Sequence, residues 1–153
     1  MNIGDLLSVD SIVAGFKASS KKQAIQALAR KIAVNAGVDD RLVFDKLLER
    51  ERLGSTGVGK GVAIPHARIA GLPKITGLFA KLASPIDFDS VDERPVDLIF
   101  MLLAPEEAGA DHLKALASVS RLLRDDQMCN KLRLTPDSNA IYAMLAEPSS
   151  AAA

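Results

Sequence analysis

Apolar residues recur at helical spacing in the first third of the chain. Between residues 21 and 35 they form one stripe, which is typical of a helix that packs one face against a core. This stripe consists of Ala24, Ile25, Leu28, Ile32 and Ala33. Ser20 and Gln23 have the spacing of a capping box, and Gly37 follows the stripe as a stop signal. The pattern predicts a first long helix.

A second apolar stripe predicts another helix directly after the first. Asp39 or Asp40 is a suitable N-cap, and Gly54 is a suitable C-terminal stop. The residues predicted to face the core are Val43, Phe44, Leu47 and Leu48.

Three more helices are predicted near the C-terminus, each beginning at an aspartate that can serve as N-cap. Asp111 is predicted to cap a helix that ends near residue 123. Asp125 or Asp126 starts the next, which ends near residue 132, and Asp137 starts a last one to residue 146. Residues 147–153 are typical of a frayed tail.

The strands are predicted from shorter apolar runs. Residues 62–64 and 75–82 form two of them, and a short strand at 11–16 precedes the first helix. Residues 96–103 are apolar almost without alternation, as expected of a central strand covered on both faces. Residues 85–95 are predicted to be a connection. Strands and helices intermixed in this way predict a single α/β domain with helices on both faces of a sheet.

A glycine-rich loop separates the second helix from the strand at 62–64. Four of the eight residues from 54 to 61 are glycine, which frees the backbone to expose N–H groups. Pro65 then fixes the direction of the chain, and His66 follows at the predicted exit of the strand. An imidazole beside such donors and the cation of Arg50 suits phosphoryl chemistry.

The same loop reads Gly-x-x-x-x-Gly-Lys-Gly, which is one residue away from a nucleotide-binding P-loop. Gly61 stands where a Ser or Thr hydroxyl would bind Mg²⁺. The loop also follows a predicted helix and precedes a predicted strand, which is the reverse of the P-loop order. Both features argue against nucleotide binding.

Two histidines are candidate reactive residues, and each has a plain structural alternative. His66 is either an ordinary histidine at the end of a strand or a nitrogen nucleophile whose phosphorylated form needs donors and cations nearby. The donors predicted to support a phosphoryl group are Ser55, Thr56, Gly57 and Gly59. His112 heads the buried stripe of its helix, so it is either a core residue or a neutral hydrogen-bond donor to the site.

Two charged residues close the predicted second helix. Arg50 falls at the edge of the inward stripe, where it is either one more solvated charge or a planar fork for phosphate oxygens. Glu51 falls nearer the centre of that stripe. If Glu51 is buried it needs a partner, for which a donor in the glycine-rich loop is the candidate.

Composition narrows the functional classes. Lys plus Arg and Asp plus Glu number 19 each, so no bulk charge favours a nucleic acid or an anionic membrane. Cys129 is the single cysteine, which excludes an internal disulfide, and no ligand spacing suggests a metal site. The apolar runs are far too short to span a bilayer, and the N-terminus does not resemble a signal peptide. We expect a cytoplasmic protein that uses no cofactor or metal and does not insert into membranes.

Three segments resemble a known protein family. Residues 50–66 read R-E-R-L-G-S-T-G-V-G-K-G-V-A-I-P-H, residues 85–105 read P-I-D-F-D-S-V-D-E-R-P-V-D-L-I-F-M-L-L-A-P, and residues 112–116 read H-L-x-x-L. Over residues 2–146 the chain resembles the enzyme IIA domains of the bacterial phosphoenolpyruvate-dependent phosphotransferase system, in the fructose/mannitol class. Within that class it is most similar to the nitrogen-related IIA regulatory proteins.

The resemblance implies a mixed sheet flanked by helices, in one IIA domain over residues 1–146. It also implies that His66 is the phosphorylated histidine, Arg50 the active-site arginine and His112 the second active-site histidine. The chain departs from many family members at Ala67 and Arg68, where the arginine adds a cation near the site.

The implied function is that of a phosphocarrier rather than an enzyme with independent turnover. A small histidine phosphocarrier protein is the implied donor to His66, and the phosphorylation state then regulates a transporter, a sensor kinase or an enzyme. Two alternatives stay open: a sugar-transport IIA component that passes the phosphoryl group to a IIB domain, and an interaction domain whose histidines are structural. The S-T-G-V-G loop favours the regulatory branch.

Overall fold

A computed structural model describes residues 2–147, so the predicted tail beyond residue 147 lies outside the described residues. The strands in this part of the chain are β1 (Ile12–Phe16), β2 (Gly57–Gly59), β3 (Val62–Ala63), β4 (His66–Ile69), β5 (Thr76–Ile86) and β6 (Val96–Pro105). The α-helices are α1 (Lys21–Ala36), α2 (Asp40–Arg52), α3 (Ala110–Leu123), α4 (Asp126–Leu134) and α5 (Ser138–Ala146). Two short 3₁₀ turns, Ile3–Asp5 and Val9–Ser11, precede β1.

The strands form one mixed sheet in the order β1-β5-β6-β3-β2, and β4 also pairs with β6. The pairs β1–β5, β3–β6 and β4–β6 are parallel, whereas β5–β6 and β2–β3 are antiparallel. This architecture confirms the predicted α/β class, with one domain and a mixed sheet.

The central strand β6 explains why its sequence is apolar almost without alternation. Successive side chains of a strand point to opposite faces, and both faces of β6 are buried. Ile99 and Met101 join the core under α1 and α2, whereas Leu98 and Phe100 join the core under α3, α4 and α5. The predicted helical layers on both faces of the sheet are therefore confirmed.

Most helix ends lie where the sequence predicts them. Ser20 caps α1 by accepting a hydrogen bond from the Gln23 N–H at 3.1 Å, and Gly37 ends the helix in the left-handed conformation at φ 71°. Asp125 and Asp137 cap α4 and α5. The prediction for α3 is wrong by two residues, because the N-cap is Gly109 and Asp111 lies inside the first turn.

Two strand boundaries also differ from the prediction. Strand β5 continues to Ile86, so the connection to β6 is shorter than residues 85–95. His66 follows the predicted strand, which is β3, but the prediction missed that His66 is also the first residue of a further strand, β4. Strand β3 aligns Val62 with Leu98, and β4 aligns His66 with Leu102, so both strands keep one register along β6. Pro65 interrupts the ladder between them because it has no N–H to donate.

Candidate functional site

His66 lies at the point where the strand alongside β6 is interrupted and resumes. The Pro65 carbonyl accepts a hydrogen bond from the Leu102 N–H at 2.9 Å, which keeps the interruption in register with β6. The His66 side chain is half-buried and lies on the face of the sheet covered by α3. The interrupted strand beside β6 thus presents this imidazole at a fixed position and partly to solvent.

The backbone decides which ring nitrogen of His66 carries the proton. The Nδ1 atom lies 2.8 Å from the Ile64 carbonyl oxygen. Because a carbonyl can only accept, Nδ1 must be the donor, and in the neutral ring Nε2 then holds the lone pair. Burial lowers the pKa of His66, the hydrogen bond to Ile64 raises it, Arg50 lowers it and Glu51 raises it, with a net decrease below 6.5. The ring is therefore mainly neutral, with a nucleophilic Nε2, at neutral pH.

His112 brings a second imidazole to the same place. Its ring centroid lies 5.8 Å from that of His66, and the two planes meet at 67° in an edge-to-face arrangement. His112 is only 6 % exposed, and its Nε2 has no hydrogen-bond partner among residues 2–147. Burial lowers the pKa of His112, and repulsion from the protonated form of His66 and from Arg68 lowers it further. A buried polar atom without a partner is costly, so this nitrogen has hydrogen-bonding capacity that the described residues leave unused.

Arg50 lies at the C-terminal end of α2, which packs on the opposite face of the sheet from α3. Its Nη1 atom donates a hydrogen bond to the Gly54 carbonyl at 2.8 Å. Its positive charge is close enough to lower the pKa of His66. This single bond uses one of the five N–H donors of the guanidinium, so the group retains donors for an anion.

The predicted phosphoryl-binding loop is held by its own hydrogen bonds. Ser55 Oγ donates to the Phe88 carbonyl at 2.7 Å and accepts from the Gly57 N–H at 3.0 Å. Thr56 donates both its N–H and its hydroxyl to the Glu51 carboxylate. At Gly59, φ is 99°, which favours glycine, and the Asp92 carboxylate lies close by. The role of these four residues in phosphoryl binding stays a prediction, while their contacts show how the loop is fixed.

The prediction that a buried Glu51 needs a donor from the loop is confirmed. Its side chain is 3 % exposed, and besides Thr56 it contacts Lys21, whose Nζ lies 2.8 Å from Oε2. Sequence reasoning missed Lys21, because no spacing pattern connects residues that lie thirty positions apart in different helices.

Arg68 extends the positive charge of the site along β4. It lies two residues after His66, so both side chains are on the same face of the strand. Its Nη1 donates to the Glu106 carbonyl at 3.1 Å, and its charge reaches His112. The site therefore combines two neutral imidazoles with guanidinium groups from α2 and β4, an arrangement suited to a phosphoryl group.

No helix within residues 2–147 has both the length and the apolar character needed to cross a membrane.

Residues 5–147 match the family model described as "Phosphoenolpyruvate-dependent sugar phosphotransferase system, EIIA 2". This match spans most of the chain, and the fold agrees with it, so the chain belongs to the phosphotransferase-system IIA family.

Its relatives include both regulatory and sugar-specific proteins. The chain is 56 % identical over 153 residues to the nitrogen regulatory protein of Bradyrhizobium diazoefficiens, with 100 % of both chains covered. It is 43 % identical over 131 residues to the fructose-specific EIIA component of Haloferax volcanii, covering 84 % of each. The crystal structure of nitrogen regulatory protein IIA-Ntr from Neisseria meningitidis superposes with a TM-score of 0.89 at 36 % identity, covering 94 % of this chain and 98 % of that one.

Proposed function

We propose that this protein is a phosphocarrier of the nitrogen-related phosphotransferase system, which accepts a phosphoryl group on Nε2 of His66. The observation that carries this proposal is the 2.8 Å hydrogen bond between His66 Nδ1 and the Ile64 carbonyl. It reserves the Nε2 lone pair for attack, next to the ring of His112, whose buried Nε2 has no hydrogen-bond partner among the residues that the structure describes. The donor is a small histidine phosphocarrier protein that is itself phosphorylated.

In the transfer step, the lone pair of His66 Nε2 attacks the phosphorus of the donor's phosphohistidine. A new N–P bond forms as the donor's N–P bond breaks, and that electron pair returns to the donor's ring nitrogen. The His66 ring gains positive charge while its Nδ1 keeps its proton. The Ile64 carbonyl stabilises this charge, because it accepts from Nδ1–H more strongly when the ring is cationic.

The neighbouring side chains act on the phosphoryl oxygens. The transition state of phosphoryl transfer needs positioning and charge stabilisation more than covalent assistance. Arg50 supplies a planar guanidinium, and His112 supplies a neutral N–H donor when its buried Nε2 carries the proton. These protein groups perform the charge stabilisation that the reaction requires.

The output of phosphorylation is regulatory. A phosphoryl group brings about −1.5 to −2 charges, which the positive charge of the ring offsets only in part. The site therefore becomes negative, which changes how a partner surface docks. The similarity to a nitrogen regulatory protein over 100 % of both chains supports a regulatory output. The regulated partner in this proposal is a transporter, a sensor kinase or an enzyme. Such an exchange with a phosphocarrier would take place in the cytoplasm.

The alternative function is a sugar-transport IIA component that passes its phosphoryl group to a IIB domain. The 43 % identity to a fructose-specific EIIA component supports this candidate, and the same His66 chemistry would serve it. The two functions differ only in the acceptor that follows.

The experiment combines purified protein with phosphoenolpyruvate, enzyme I and the histidine phosphocarrier, and follows intact mass. We expect the wild type to gain one acid-labile phosphoryl group and His66→Ala to gain none. A chase with purified fructose and mannitol IIB domains then separates the branches: retention supports the regulatory protein, and rapid loss to IIB supports sugar transport. An unmodified wild type would contradict both, and would favour an interaction domain with structural histidines.

A further inference from the structure

A buried carboxylate lies beside the site without facing the phosphoryl group. The Glu51 side chain is 3 % exposed and is surrounded by donors: Lys21 Nζ at 2.8 Å, the Thr56 N–H at 3.1 Å and the Thr56 hydroxyl. Burial of a charged carboxylate is costly unless such partners compensate it. These partners join the start of α1, the end of α2 and the glycine-rich loop at one point.

The contacts of Glu51 continue, residue by residue, to His66. Thr56 is held at its N–H and hydroxyl by Glu51, and its carbonyl accepts from the Ile64 N–H at 3.0 Å. The Ile64 carbonyl in turn accepts from His66 Nδ1 at 2.8 Å. Two residues, Thr56 and Ile64, therefore separate the buried carboxylate from the ring that carries the proposed reaction.

Lys21 restrains the other side of the carboxylate. Its ammonium lies 5.0 Å from the centre of the Phe88 ring, in a cation–π contact, and 3.7 Å from Asp89. The Phe88 carbonyl accepts the hydroxyl of Ser55, which precedes Thr56 in the loop. The carboxylate is therefore fixed from both sides, and so is the loop segment that it holds.

We infer that Glu51 is a positioning residue for phosphoryl transfer: through Thr56 and Ile64 it sets the orientation of the His66 ring and holds the proton on Nδ1. The expected effect of Glu51 on the rate of phosphoryl transfer rests on the proposed function. Its effect on the orientation of the His66 ring does not, because that orientation can be measured without a donor protein. Glu51 also keeps the adjacent helix end in place, from which Arg50 reaches the Gly54 carbonyl. In this account Glu51 never contacts the phosphoryl group.

The informative substitution is Glu51→Gln, which preserves size and removes the charge. Three donors face this carboxylate, whereas a glutamine amide offers one acceptor oxygen and brings two donors of its own, so Thr56 and Lys21 cannot all stay satisfied. We expect a displaced loop and a mixture of Nδ1–H and Nε2–H forms at His66. Misplacement of a reacting group on the scale of 1 Å slows a reaction by up to about 100-fold.

The experiment measures His66 by long-range ¹H–¹⁵N NMR over a pH titration, and separately measures the rate of phosphoryl uptake. The matched control is Glu49→Gln, which removes an exposed carboxylate from the same helix. We expect Glu51→Gln to shift the tautomer balance, to lower the pKa of His66 because the raising effect of the carboxylate is lost, and to slow uptake. Glu49→Gln should match the wild type in all three readings.

A second pair of variants keeps the test decisive if Glu51→Gln does not fold. Thr56→Ser retains the hydroxyl donor, whereas Thr56→Val loses it, so uptake and the Nδ1–H population should both be higher in Thr56→Ser. The inference is overturned if Glu51→Gln and Glu49→Gln give the same tautomer and uptake rate, or if the two Thr56 variants are alike. If the wild type takes up no phosphoryl group, the proposed function fails while the NMR comparison still tests the positioning role.

Discussion

Gly57 offers a measurable test of how the glycine-rich loop is built. A Cβ added at this residue would lie 2.3 Å from Ser90 Oγ and 3.1 Å from the Ser90 Cα and Cβ atoms. The φ angle of Gly57 lies outside the left-handed region, so alanine meets no backbone penalty there. Its cost is therefore one of packing, because Ser90 and the loop must move apart. Overpacking of this kind typically destabilises a protein by about 1–3 kcal/mol.

Ser90 provides the compensating substitution. Its hydroxyl is buried and has no hydrogen-bond partner among residues 2–147. Ser90→Ala removes this hydroxyl, which is also the atom that an added Cβ at Gly57 would approach most closely. Because the hydroxyl is buried without compensation, its removal alone should be neutral or slightly stabilising. Combined with Gly57→Ala it should recover part of the loss, because the 3.1 Å contacts to the Ser90 Cα and Cβ atoms remain.

The assay is urea unfolding of the wild type, both single variants and the double variant, analysed as a double-mutant cycle. We expect a favourable coupling between the two sites of about 0.5–3 kcal/mol. Phosphoryl uptake should recover together with stability, because alanine retains the N–H that Gly57 donates to Ser55. A Gly57→Ala variant within about 0.5 kcal/mol of the wild type, the range of ordinary surface changes, would refute this packing account. Additive effects of the two substitutions would refute it as well.

Three further predictions concern the reactive residues. Arg50→Ala should slow phosphoryl uptake by about 100- to 1,000-fold, and Arg50→Lys by less, since lysine keeps the charge but loses the planar fork. Quenched-flow measurement of the uptake rate tests this, and equal rates in the wild type and both variants would make Arg50 a solvated charge. His112→Ala should slow uptake more than His112→Gln, which keeps a donor, and wild-type rates in both would make His112 purely structural. Because burial lowers the pKa of both His66 and His112, the unfolded chain binds protons first as the pH falls below 6.5. Thermal unfolding should therefore show stability decreasing below that pH until the folded-state pKa values are passed. The decrease should be smaller in His112→Gln, and a pH profile of that variant identical to that of the wild type would contradict a lowered pKa at His112.

The sequence predicts the layers of this fold well, because its periodicities are strong. The stripe of α1 and the unbroken apolar run of β6 each allow one interpretation, and both are confirmed. The sequence predicts a helix start less well where no capping side chain marks it. Helix α3 begins after Gly109, which has no side chain to accept a capping hydrogen bond, so the pattern predicts the nearby Asp111 as the N-cap instead.

Some features of the candidate site were likewise expected from the sequence, and others were missed. The pairing of His66 with His112 was expected from a resemblance, and the structure places the two rings in contact. The strand that begins at His66 was missed, since Pro65 looks like an end when β6 is not considered as its partner. The contact of Lys21 with Glu51 was also missed, because it depends on how α1 packs on α2.

The central claim is that Nε2 of His66 is the phosphoryl acceptor, with Nδ1 held by the Ile64 carbonyl. The most direct measurement is long-range ¹H–¹⁵N NMR of the ¹⁵N-histidine-labelled protein before and after phosphorylation by the histidine phosphocarrier. We predict that the Nε2 resonance of His66 shifts and couples to phosphorus, while Nδ1 stays protonated and His112 remains unmodified. A phosphoryl group on Nδ1 of His66, on His112 or on any other residue would contradict the account.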